Sequence, residues 1–115
     1  MKIIDVLLVS DNVPPVIAKG VPVKVGVIDD LFAATHKWMN GNYFETDWNI
    51  THIPSGLCHS ACAFSPQEAV AHFTSEILRL GKERYQKRIN NAMKRRRAIE
   101  KAHPEWFSKI KARAA

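Results

Sequence analysis

No arginine occurs before residue 79, cysteine appears only at positions 58 and 62, and no apolar run is longer than a handful of residues. Each scarcity excludes something. A membrane-spanning helix needs about 20 consecutive apolar residues, which this chain nowhere offers. Met1–Ser10 (MKIIDVLLVS) carries Asp5 in its middle and is too short to read as a secretory signal. Two cysteines cannot build a disulfide framework, so the expected compartment is a reducing cytoplasm. The patterns G-x-x-x-x-G-K-[ST], G-x-G-x-x-G and H-E-x-x-H are absent, which removes the common nucleotide and protease motifs. Internal repeats and low-complexity tracts are absent too.

What is present is enough for one core. At 115 residues the chain is too short for two, and 46% hydrophobic against 24% charged residues is a globular balance rather than a disordered one. The net charge of +6 is unevenly spread: residues 1–78 hold four lysines and eight acids, whereas residues 79–115 hold thirteen basic residues and only Glu83, Glu100 and Glu105. Such asymmetry suggests a body joined to a basic arm that meets a polyanion; the plainer alternative is a solvated helix face.

The residue pattern predicts an α+β fold: a small antiparallel sheet, one long packed helix and a basic C-terminal helical arm. Residues 2–9, rich in Ile, Val and Leu, read as a buried strand ended by Asp11-Asn12-Val13-Pro14-Pro15. Val21, Val23, Val25 and Val27 alternate as a second strand, with Pro22 suited to a strand start or an edge. Residues 31–39 and 43–53 form a hairpin about Asn40-Gly41-Asn42, where Asn and Gly tolerate positive φ. Residues 57–64 are either a further short strand or a loop. Ser65-Pro66-Gln67-Glu68 is a helix start, with a capping serine, proline in the first turn and the glutamate of a capping box. Val70, Phe73, Ile77 and Leu80 make its apolar stripe. A helix running on to residue 102 would span roughly 55 Å, too long for one small sheet, so Gly81 is the expected bend. Beyond it the stripe thins to Tyr85, Ile89, Ala92, Met93 and Ile99, and Pro104 restarts a short helix bearing Trp106, Phe107 and Ile110. Residues 1–80 are thus expected as a compact body and 81–115 as a basic helical extension of the same domain. A body cut after Leu78 should then fold alone.

The basic run points to phosphate. Arg84, Lys87, Arg88, Lys94, Arg95, Arg96, Arg97 and Lys101 are the expected nucleic-acid-binding residues, since the guanidinium fork matches phosphate oxygens. Asn90 and Asn91, within the run, are of the type that reads adenine edges. Tyr85, Ile89, Trp106 and Phe107 are the expected contacts to a partner or to a second copy in a homodimer; alternatively the terminal aromatics fold back on the thin stripe as a helical hairpin. Cys58, His59 and Cys62, with His52 and His36, invite a zinc reading, but the C-x3-C spacing lacks a second pair and fits small core residues better, so no metal or other cofactor is expected. His36 and His52 could share acid–base work across the hairpin, although no acidic orienting partner stands at a defined spacing; Glu45 and Asp47 are available, but the sequence does not place them. Trp38, Tyr43, Phe44 and Trp48 are either cross-strand packing or a base-stacking platform, and the acidity of residues 1–78 favours packing.

The stretch Trp48-Asn49-Ile50-Thr51-His52-Ile53-Pro54-Ser55-Gly56, leading to Ser65-Pro66-Gln67-Glu68-Ala69 and preceded by Leu31-Phe32-Ala33-Ala34-Thr35-His36-Lys37, resembles a strand–turn–helix pattern of small uncharacterised phage and mobile-element proteins. The resemblance covers about residues 31–72, concerns the fold, and carries over no functional residue. It implies an accessory protein that acts by binding, the class from which anti-CRISPR inhibitors of bacterial defence complexes are drawn. The expected function is therefore non-enzymatic binding of nucleic acid or a nucleoprotein, in the host cytoplasm if phage-encoded, with no membrane partner. Two alternatives stand beside it: an inhibitor of a defence complex acting by protein contact, and a small zinc-dependent or histidine-based enzyme.

Overall fold

The computed structural model describes residues 2–39, 42–59 and 63–108; the Asn40-Gly41 turn, Cys62, Ile110 and the Tyr43 side chain lie outside the described residues. The fold is α+β. Five strands, β1 (Ile4–Leu8), β2 (Val16–Val23), β3 (Phe32–Met39), β4 (Asn42–His52) and β5 (Leu57–Cys58), pair in chain order as an antiparallel meander. Helices α1 (Pro66–Leu80) and α2 (Lys82–Ala102) follow, and 104–108 form one more helical turn. Among the described residues no helix is long and apolar enough to cross a membrane.

The meander curls until its ends meet. The Val9 amide donates to the Gly56 carbonyl at 2.9 Å, joining the end of β1 to the turn between β4 and β5. That turn needs glycine: Gly56 has φ +74°, and a Cβ there would lie 2.6 Å from the Leu7 carbonyl oxygen. Small residues permit the curl. Gly20 on β2 faces Val6 and Thr35, and a Cβ would fall 2.9 Å from a Val6 methyl.

The second strand departs from expectation. It begins at Val16, where Val16, Ala18 and Gly20 find partners on β1, and it ends at Val23. Val25 and Ile28 leave the sheet in a loop and fill the core under the helices. Pro22, paired with Ala33, lies beyond the last pair with β1, where a missing N–H costs no ladder bond.

The helix signals act as read. The Ser65 hydroxyl accepts from the Glu68 amide at 3.1 Å, and the Glu68 carboxylate accepts from the Phe64 amide at 3.2 Å. Ala69, Phe73 and Ile77 press on Phe32, Ala34 and Ile50 on the convex side of the sheet. Gly81, at φ +96°, ends α1 and begins α2.

The basic segment does not project. Tyr85 and Ile89, each 2% exposed, belong to the same core cluster as Phe32 and Phe73. Ala92, Ile99 and Phe107 cover Val9 and Leu57, so the second half of α2 and the terminal turn strap the seam where the sheet closes. At about 31 Å, α2 fits within a molecule 38 Å in its longest dimension. The helical-hairpin alternative is therefore the one adopted as far as Phe107, and a chain cut after Leu78 would lose part of its main core.

Candidate functional site

Helix phase sorts the basic residues. With the buried side of α2 set by Tyr85, Ile89, Ala92 and Ile99, a 3.6-residue turn places Lys87, Lys94 and Lys101 in a row on the opposite side, about 10 Å apart. Arg84, Arg88 and Arg95 run along one flank, and Arg97 lies on the other. Lys82, Arg84, Lys87, Arg88, Lys94, Arg97 and Lys101 are all exposed, and none pairs with a carboxylate among the described residues. Glu83 and Glu100 are the helix's own acids against nine cations, and Glu100 is already taken by Arg96. Asn91 is exposed, while the Asn90 carboxamide oxygen accepts from Gln86 at 3.3 Å.

Two of the eight expected phosphate contacts are engaged elsewhere. Arg95 grips Asp11 through Nε and Nη2, and this hydrogen bonding holds the Asp11 carboxyl below its usual range. Arg96 points inward. Its Nε donates to Glu100 at 2.7 Å, its Nη1 to the Ser55 carbonyl at 3.2 Å, and its guanidinium lies 4.9 Å from the Phe107 ring centroid. Arg96 is a strut between α2, the β4–β5 turn and the terminal turn. The expected partner contacts also change role: Tyr85, Ile89 and Phe107 are buried in this chain's own core, and Trp106 is half-buried, stacked on His103 at 3.7 Å.

The histidines do not form a catalytic pair. His36 pairs with Trp48 and His52 with Phe32, so the two sit four residues, roughly 13 Å, apart along β3 and β4. His36 stacks on Trp48 at 4.0 Å. His52 is 1% exposed, with Nδ1 2.9 Å from the Ser55 hydroxyl and Nε2 3.0 Å from an Asp30 carboxylate oxygen that lies off the ring N–H direction. A serine, a histidine and an aspartate thus meet, but Ser55 is 0% exposed and its hydroxyl also accepts from the Leu57 amide. The trio braces the turn that carries Gly56. His59, mostly buried and near His52 and Arg88, is held neutral, its pKa pushed down to about 4 chiefly by burial. Among the described residues no group of three or more His, Cys, Asp or Glu is placed to hold a metal ion. Of the aromatics expected to cluster, Phe44 is exposed beside Lys37, Trp48 faces the helices and Trp38 faces the other way.

Sequence reasoning did not find the pocket on the concave side. Thr35 and Asn49 are register partners and Thr51 is two residues on, so all three face the concave cluster built on Val6, Leu8 and Ala33. Strict alternation from Ala33 and Thr35 would bring Lys37 there. The register slips between His36 and Lys37, and past the slip it is Trp38 that packs on this cluster. Together with Ser10, Asn12 and Arg95 these residues line a cavity of about 210 Å³. Thr35 and Thr51 hydroxyls share a buried hydrogen bond of 2.8 Å, whereas the Asn49 Oδ1, the Trp38 Nε1 and the Nδ1 of His36, which also lines the cavity, are buried with no partner among the described residues. The one hint in the sequence is the polar trio Thr35, Asn49 and Thr51 inside strands otherwise rich in core residues.

Comparison with protein-family models, with curated proteins and with solved structures finds no match to the chain.

Proposed function

We propose that the protein acts by binding, without catalysis, and that the outward face of α2 holds nucleic acid through its phosphates. The observation that supports this reading is the set of seven exposed cations on one 21-residue helix with no carboxylate partner among the described residues. A helix surface of this kind costs stability through self-repulsion, which a polyanion relieves as it displaces counterions. Lys87, Lys94 and Lys101 are the central contacts, Arg84 and Arg88 the flanking ones, and Arg97 the contact on the far side. An accessory protein of phage type is the setting that fits such binding. In the alternative setting the same face occupies the nucleic-acid channel of a defence complex.

The test is fluorescence anisotropy with labelled duplex DNA, single-stranded DNA and RNA between about 50 and 300 mM salt. For duplex DNA the logarithm of affinity should fall with a slope near −0.9 per phosphate neutralised. Replacing Lys87, Lys94 and Lys101 together by alanine should reduce that slope by about three and leave the fold intact, since all three are exposed. Unchanged affinity in this variant, or no binding at the lowest salt, would overturn the assignment. Stable co-elution with a protein complex after nuclease treatment would favour the defence-complex setting instead.

A further inference from the structure

The concave pocket has the makings of a ligand site separate from the basic row. Asn49 is 8% exposed, and its carboxamide oxygen is a buried acceptor with no donor among the described residues. The Trp38 indole N–H is a buried donor with no acceptor among the described residues. The His36 Nδ1, on the same lining, is a third buried atom with no partner among the described residues. A buried polar atom left unpaired is costly, so a native site that keeps three beside one cavity, a donor and an acceptor among them, suggests a ligand that supplies the missing partners. The mutually bonded Thr35 and Thr51 hydroxyls leave one O–H able to donate again.

The chemistry of the walls narrows the ligand. Among the described residues no carboxylate lines the cavity; its titratable side chains are His36, Cys58 and Arg95, and Arg95 is already paired with Asp11. A buried cation or dianion would find no counter-charge deep in the site. The occupant is therefore uncharged within the cavity, offers an N–H and a carbonyl or ring nitrogen together, and is flat enough to enter between strands beside an indole. A volume of about 210 Å³ equals some seven waters at ~30 Å³ each, room for a heterocycle but not for its sugar and phosphate as well. We infer that this pocket receives a nucleobase, with the sugar left at the rim near Arg95. The base could belong to a free nucleoside or to an unstacked nucleotide of a strand lying on α2; only the second case rests on the reading of α2 given above.

The full chain labelled with 15N in its tryptophans provides the test, the Trp38 indole peak being identified by its loss in Trp38→Phe. It is titrated with uridine, cytidine, adenosine and guanosine at millimolar concentration, with ribose 5-phosphate, and with a single-stranded oligonucleotide and its abasic counterpart. The expected result is a saturable shift of the Trp38 peak with at least one nucleoside or with the base-bearing strand, and none with the sugar phosphate or the abasic strand. Asn49→Leu, matched in size, should weaken that binding about tenfold, the scale of one lost hydrogen bond to a buried polar group. The inference is overturned if no probe moves the peak, if abasic and base-bearing strands move it equally, or if Asn49→Leu binds as the parent does. Binding of both strands with a still Trp38 peak removes the pocket and leaves α2. A nucleoside shift without strand binding removes α2 and leaves the pocket.

Discussion

The two faces of the sheet are built from the same strands to opposite specifications. On the convex face Phe32, Ala34 and Ile50 meet Ala69, Phe73 and Ile77, and apolar packing fills the space between sheet and helix. On the concave face small residues let the sheet bend, and the space they leave is lined by polar groups, three of which (His36, Trp38 and Asn49) carry a buried atom with no partner among the described residues. One face holds the fold together; the other tolerates a cost that stability alone does not explain. The contrast teaches where to look for function in a small domain: not where most apolar area is buried, but where several unpaired polar groups line one cavity.

Three perturbations sharpen this contrast. The largest effect belongs to Phe73→Ala on the convex face, which should lose about 3–5 kcal/mol in urea unfolding, because Phe73 is fully buried against Phe32 and Tyr85. A loss under about 1 kcal/mol would mean that the convex face is not the main core.

Next comes acid. His59 has its pKa pushed down to about 4 in the folded protein, below the ordinary unfolded value near 6.5. The unfolded chain then binds the extra proton first, so stability is full above about pH 6.5 and falls as pH drops toward 4, by on the order of 2–3 kcal/mol. Urea midpoints across this window in the parent and in His59→Phe measure it; the variant should show a flatter profile. The smallest effect is expected on the concave face. Asn49→Leu should keep or raise stability, by about 1 kcal/mol, since it removes an acceptor that has no donor. A loss as large as that of Phe73→Ala would reverse the distinction between the faces.

Much of the architecture was legible because its signals are local. Ser65, Pro66 and Glu68 mark a helix start through capping within four residues, and Gly81 marks the break through its own backbone. The pairing of β3 with β4 was likewise legible from the Asn and Gly between the two strands. The basic helix was legible as a helix, but its function-bearing residues were not separable by composition. Arg95, Arg96 and Arg97 are neighbours of one type, and only the phase fixed by Tyr85, Ile89 and Ile99 sends Arg96 inward while Arg97 stays in water. The fate of α2 was illegible for the same reason, since its thin stripe matches a seam that forms only when residue 9 meets residue 56. The pocket depends on that closure and on the register slip after His36, neither of which leaves a local mark.

The seam also sets an order of events in folding. Each strand pair of the meander joins neighbours in the chain and can form early as a local hairpin, whereas Val9 reaches Gly56 only after the intervening strands are in place. The strap that holds this contact comes from Ala92, Ile99 and Phe107, near the end of the chain. A nascent chain emerging from the ribosome can thus assemble an open, curved sheet, but its two ends have no clasp until the last helix has been made.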